Sequence, residues 1–67
     1  MNKFKDRLTE LLHDNGLTQS ELAKMVFVSQ SAISRYCTGE NIPSIDVLLL
    51  ICKILDVSAD YLLGFTD

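Results

Sequence analysis

Nowhere in the 67-residue chain is there an apolar run of the roughly 18 residues that a membrane-spanning helix requires. The most apolar stretch, Val47-Leu48-Leu49-Leu50-Ile51-Cys52, is bracketed by Asp46, Lys53 and Asp56. The opening residues, Met1-Asn2-Lys3-Phe4-Lys5-Asp6-Arg7, have no apolar core segment, so no secretory leader is expected. Cys37, Cys52 and His13 are the only cysteines and histidine, too few for a four-ligand zinc site without carboxylates from elsewhere, so no metal is expected. Without secretion signals the two cysteines read as reduced thiols of a cytoplasmic protein, packed as small hydrophobes. His13 stands beside Asp14 with no cysteine arranged as a nucleophile, and there is no glycine-rich phosphate loop. No enzyme, cofactor or small-molecule ligand is therefore expected.

Positive charge is scarce as well. Six Lys and Arg face nine Asp and Glu, a net charge of −3. The cations are Lys3, Lys5, Arg7, Lys24, Arg35 and Lys53, clustered only near the N-terminus. Nucleic-acid binders usually carry a basic footprint. Any affinity for DNA here has to come from a local arrangement of side chains.

What the chain does have is apolar residues, 48% of the total, well above a disordered segment. Its length suits one domain, residues 1–67, with a compact core. There is no strand-like alternation and no repeat. Five helical segments are predicted instead. Phe4, Leu8, Leu11 and Leu12 form one apolar stripe, ended by Asp14-Asn15-Gly16. A second helix, about 18–26, opens with Thr18 and Glu21 spaced as a capping box and with Leu17 and Leu22 as a hydrophobic staple. A third, about 29–38, opens at Ser29 with Val28 and Ile33 as the staple, and stops at Gly39. A loop containing Pro43 leads to a fourth helix capped by Ser44 and reaching about Leu55. A fifth opens around Ser58 with Val57 and Leu62 as its staple and closes at Gly64. Five short helices can bury their stripes only against one another, which predicts an all-α orthogonal five-helix bundle.

The second and third helices are joined so closely that they must cross steeply, as in a helix-turn-helix. On the third helix Ala32, Ile33 and Tyr36 face inward and Cys37 sits at the border. Gln30, Ser31, Ser34, Arg35 and Thr38 face outward. A helix fits the major groove, where Gln pairs with adenine and Arg with guanine. A plain solvated helix would also be polar, and the scarcity of Glu and Lys on this face is what leans toward DNA.

The residues Leu17-Thr18-Gln19-Ser20-Glu21-Leu22-Ala23-Lys24 and Val28-Ser29-Gln30-Ser31-Ala32-Ile33-Ser34-Arg35-Tyr36, then Gly39, resemble the lambda-repressor/Cro, or XRE-type, helix-turn-helix family. The likeness continues through Pro43-Ser44, Leu48-Leu49 and Val57-Ser58-Ala59-Asp60-Tyr61-Leu62-Leu63-Gly64. It implies a transcriptional regulator, most commonly a repressor, bound to double-stranded operator DNA. It also implies residue roles. Gln30, Ser31 and Arg35 match base-reading positions. Gln19 matches a glutamine that contacts a phosphate and braces the first base reader. Ser34, Thr38 and Asn41 match positions along the sugar-phosphate backbone. Backbone N–H groups at the starts of the second and fourth helices can hold phosphates without side-chain charge. Three departures stand out. Phe27 replaces a glycine at a left-handed turn, so either the turn is rebuilt or the ring packs well enough to offset the strain. Cys37 and Thr38 replace a stretch often charged or amidic. Glu40 and Asn41 stand where relatives often carry lysine or arginine.

On the fourth helix Ile45, Leu48, Ile51, Cys52 and Leu55 are assigned to the core, leaving Val47, Leu50 and Ile54 on the far side. They are read either as a deeply wrapped helix or as a self-association surface extended by Tyr61, Leu63 and Phe65. The second reading predicts a homodimer on a roughly palindromic operator. A helix-turn-helix module that binds another protein through its fourth and fifth helices is the alternative. Cys37, at the border of the outward face, is read as a packing residue, with a redox role as the alternative.

Overall fold

The computed structural model describes residues 2–66. The helices run α1 (Phe4–Asp14), α2 (Gln19–Val26), α3 (Gln30–Thr38), α4 (Ile45–Leu55) and α5 (Ala59–Leu63). Among the described residues there is no strand, and no helix is long and apolar enough to cross a membrane.

Local chemistry sets the boundaries. The Thr18 hydroxyl accepts from the Glu21 N–H at 3.0 Å, and the Glu21 carboxylate accepts from the Thr18 N–H at 2.9 Å, the reciprocal box that the spacing predicts. The hydroxyls of Ser29, Ser44 and Ser58 each accept from the N–H three residues on, at 3.1, 3.2 and 3.0 Å. These bonds satisfy donors that a helix start otherwise leaves open. Gly39 closes α3 at φ +86°, a conformation in which a side chain is strained.

One apolar core joins all five helices. Phe4, Leu8 and Leu12 of α1, Leu22, Ala23 and Val26 of α2, Ile33 and Tyr36 of α3, Ile51, Cys52 and Leu55 of α4, and Leu62 of α5 are buried. Phe4 meets Tyr36 edge to face, with ring centroids 6.2 Å apart, which packs α1 against the inner side of α3. Arg7 ties α1 to the chain's C-terminal end. Its guanidinium stacks 4.3 Å over the Tyr61 ring and donates to the carbonyls of Tyr61 and Thr66.

Two sequence expectations need correction. Ile45, assigned to the core, is 85% exposed. It is the first residue of α4, whereas the buried residues of that helix lie in its C-terminal half. Val47, Leu50 and Ile54, placed on the far side, are half-buried and packed against the core. The packing of α4 against both α2 and α5 covers a wide arc, so its own chain wraps most of the helix. The exposed apolar residues of α4 are Ile45 and Leu49.

The second correction is at Phe27. Its backbone keeps the left-handed turn, φ 61° and ψ 40°, yet its ring is 84% exposed. The turn is not rebuilt, and no burial offsets the strain. Asp56, which ends α4 at φ 55°, is also left-handed, but a short polar side chain tolerates that region better than an aromatic one.

Candidate nucleic-acid interface

The candidate surface is the outer side of α3 with the segments at its two ends. Ile33 is fully buried and Tyr36 nearly so, which locks the inner side of the helix. In contrast Gln30, Ser31, Arg35 and Thr38 are exposed and Ser34 is half-buried. The division predicted from helical periodicity is observed except at Ser34, expected outward but half-buried like Ala32. The packed inner side fixes which side chains the helix turns to solvent.

The ends of the helices carry a charge pattern. Each of the other four has an acidic residue in its first turn: Asp6, Glu21, Asp46 and Asp60. The first turn of α3 has none. The partial positive charge of its N-terminus is therefore not neutralised by its own side chains. Gln30 and Ser31 stand at that end, and Arg35 lies one turn further along the exposed face.

The starts of α2 and α4 are less free to hold phosphates than their dipoles alone imply. Glu21 and Asp46 occupy their first turns, and the Glu21 carboxylate already takes the Thr18 N–H. That bond, with the Thr18 hydroxyl, holds the Glu21 carboxyl below its ordinary pKa.

The four residues expected along the DNA backbone fall into different settings. Gln19 and Ser34 are half-buried, and Asn41 is exposed with its N–H donating to the Arg35 carbonyl at 3.3 Å. Thr38 is exposed, but its hydroxyl lies 3.1 Å from the Arg35 carbonyl and 3.2 Å from a Glu40 carboxylate oxygen. Its one hydrogen is engaged within the chain. The Glu40 carboxylate thus lies within reach of Thr38 at the end of α3, next to Asn41 in sequence.

Of the residues expected at a dimer interface, Val47, Leu50, Ile54 and Tyr61 are half-buried and Phe65 is 85% exposed. Sequence reasoning missed Ile45 and Leu49, which border an apolar groove of about 500 Å³ between α4 and the start of α5. Lys53 and Asp56 stand on its rim. Cys37 is half-buried. Burial pushes its thiol pKa up, partly countered by the Thr9 side chain, and burial pushes that of Cys52 up as well. Neither is the low-pKa thiolate that an oxidation sensor uses. His13 is exposed, 3.7 Å from the Asp14 carboxylate. Among the described residues no cluster of potential ligands could hold a metal ion.

Comparison with known proteins agrees with this geometry. The sequence profile of the helix-turn-helix family matches residues 9–62. The uncharacterized HTH-type transcriptional regulator YobD of Bacillus subtilis is 34% identical over 64 residues, covering 96% of this chain and 57% of that protein. The HTH-type transcriptional activator BcrR of Enterococcus faecalis is 36% identical over 62 residues, covering 92% of this chain but 30% of BcrR. The cryptic phage CTXphi transcriptional repressor RstR of Vibrio cholerae is 31% identical, covering 92% and 55%. The chain thus spans between about a third and three fifths of these relatives. A crystal structure of a transcriptional regulator from Listeria innocua superimposes with a TM-score of 0.93 at 25% identity, covering all of this chain and 63% of that one. The chain belongs to the XRE-type helix-turn-helix family of transcriptional regulators.

Proposed function

We propose that this chain binds duplex DNA in a sequence-specific manner, seating α3 in the major groove, and represses transcription as a homodimer on a roughly palindromic operator. The observation that carries the reading is α3 itself. It is the one helix of the five without an acidic first turn, and its exposed side offers Gln30, Ser31 and Arg35 opposite a buried inner side. Gln30 is suited to adenine and Arg35 to guanine, each worth about 1–3 kcal/mol of discrimination. Gln19, Ser34 and Asn41 would set register on the phosphates. Thr38 would join them only after releasing its internal partners.

The dimer reading rests on exposed apolar surface on α4 and near the C-terminus, where Ile45, Leu49 and Phe65 are open to solvent. Lys53 and Asp56 on the groove rim carry opposite charges, so a two-fold axis there could pair each with its opposite in the second copy. Val47, Leu50, Ile54 and Tyr61 would contribute from their partly exposed edges. Two recognition helices would then sit about one DNA turn apart, ~34 Å. A protein-binding module is the competing reading, in which the same exposed α4 residues meet a different chain.

The test is binding of Gln30→Ala and Arg35→Ala variants to a duplex enriched from a random pool by the wild-type chain. Each should lose roughly 5- to 150-fold in affinity, with discrimination relaxed at its own base pair. Unchanged affinity and unchanged preference in both variants would remove the DNA reading of α3. For the dimer, sedimentation should show the wild type self-associating and Leu49→Glu monomeric. A wild type that stays monomeric with and without DNA contradicts that part.

A further inference from the structure

We infer that Lys5 is a phosphate-binding residue of the DNA interface, brought from α1 to the C-terminal end of α3 to replace the positive charge that the α3–α4 loop lacks. The inference rests on the DNA-binding reading above and adds a residue to it. A β-carbon on Gly39 would lie 2.9 Å from Lys5 Cδ and 3.8 Å from Cε, so the lysine stem lies across the residue that ends α3. A side chain at position 39 would push the lysine stem aside. Lys5, Thr38, Gly39 and Asn41 line one groove of about 520 Å³, together with Asn2 and Asp6. Residues 5 and 39 are far apart in sequence, and only the packing of α1 on α3 brings them together.

The other cations are placed differently. Arg7 is engaged with Tyr61 and the carbonyl of Thr66. Lys3 lies against Gly64 at the end of α5. Lys24 is on the last turn of α2, and Lys53 is on the rim of the α4–α5 groove. Arg35 points from the base-reading face. Among the described residues Lys5 forms no ion pair and is exposed. The remaining groups proposed for phosphate contact (Gln19, Ser34, Thr38 and Asn41) are neutral, and Glu40 repels a phosphate. Lys5 is the cation placed to counter it.

A structural role would be different: a cation at the C-terminus of α3 that only steadies the helix. The experiment is a salt titration of DNA binding by the full chain, wild type, Lys5→Gln and Lys5→Arg. The probes are a fluorescent duplex enriched by the wild type and one of scrambled sequence, and thermal unfolding is recorded in parallel. In Lys5→Gln the slope of log affinity against log salt should become shallower by about 0.9, one phosphate contact. Affinity should fall about fivefold near 0.15 M salt on both probes, with sequence preference intact, and Lys5→Arg should restore both. An unchanged slope in Lys5→Gln, whatever happens to its melting temperature, overturns the assignment. If Gln30→Ala loses sequence preference while Lys5→Gln keeps the wild-type slope, the DNA reading survives and the Lys5 assignment alone fails. A wild type with no salt-dependent affinity for either probe overturns both.

Discussion

Replacing Phe27 with glycine should make the domain more stable, although it deletes the largest side chain of the α2–α3 turn. The left-handed backbone at φ 61° and ψ 40° costs a residue with a β-carbon about 1–2 kcal/mol. Deletion of the ring sacrifices little burial, because it is 84% exposed. Glycine gains freedom in the unfolded chain, which takes back about 0.5–1 kcal/mol. The two ranges leave a gain of between about zero and 1.5 kcal/mol, about 0.75 kcal/mol at their midpoints. In a domain of this size each kcal/mol moves the melting temperature by roughly 4–8 °C, so at that midpoint Phe27→Gly should melt about 3–6 °C higher in calorimetry or circular dichroism. Phe27→Ala is the control. It keeps the β-carbon and the strain, and should lie within about 0.5 kcal/mol of the wild type. A Phe27→Gly variant that melts lower than the wild type would refute the reasoning, since it would mean that the ring contributes packing energy in solution. A Phe27→Ala variant as stabilised as Phe27→Gly would place the cost in the aromatic ring and not in the backbone.

Three further outcomes follow from the same structure. Glu21 has a folded-state pKa below its unfolded value because it accepts from the Thr18 N–H. Its contribution to stability is therefore present above the unfolded pKa and is lost as pH falls through the depressed folded one. Glu21→Gln should flatten that part of an acid-unfolding curve, and an unaltered curve would contradict the capping account. Burial raises the thiol pKa values of Cys37 and Cys52, so both should react with a thiol reagent at neutral pH far more slowly in the folded than in the urea-unfolded chain; equal rates would show that they are not shielded. Glu40→Gln removes a negative charge beside Asn41 while keeping an oxygen that can accept from the Thr38 hydroxyl. It should raise affinity for DNA severalfold on specific and scrambled duplexes alike, most at low salt; no change would place the α3–α4 loop away from the phosphates.

Much of this architecture was legible in the sequence, and physical range explains which parts. Caps and staples join residues three to five apart, so Thr18 with Glu21, and Ser29 with Ala32, could be read from spacing alone. The division of α3 into a buried and an open side was legible for the same reason, because one stripe at helical period has one partner surface. The fourth helix defeated that logic. It is apolar nearly all round, and which of its residues reach solvent depends on where α2 and α5 lie against it. Ile45 was therefore assigned inward and Val47, Leu50 and Ile54 outward. The turn at Phe27 was recognisable as a conflict between residue and backbone, but not that the conflict is left unresolved with the ring in solvent. The engagement of the Thr38 hydroxyl with Glu40, and the passage of Lys5 over Gly39, are contacts of particular atoms that no periodicity encodes.

Selection of bound duplexes from a random DNA pool tests the central claim most directly. The account predicts that the wild-type chain enriches an inverted repeat whose half-site centres are about one helical turn apart. It also predicts that Arg35→Ala loses preference at one symmetric pair of positions within that repeat. A pool that stays unenriched, or one in which Gln30→Ala and Arg35→Ala select the same sequence as the wild type, would contradict the assignment of α3 as the helix that reads DNA.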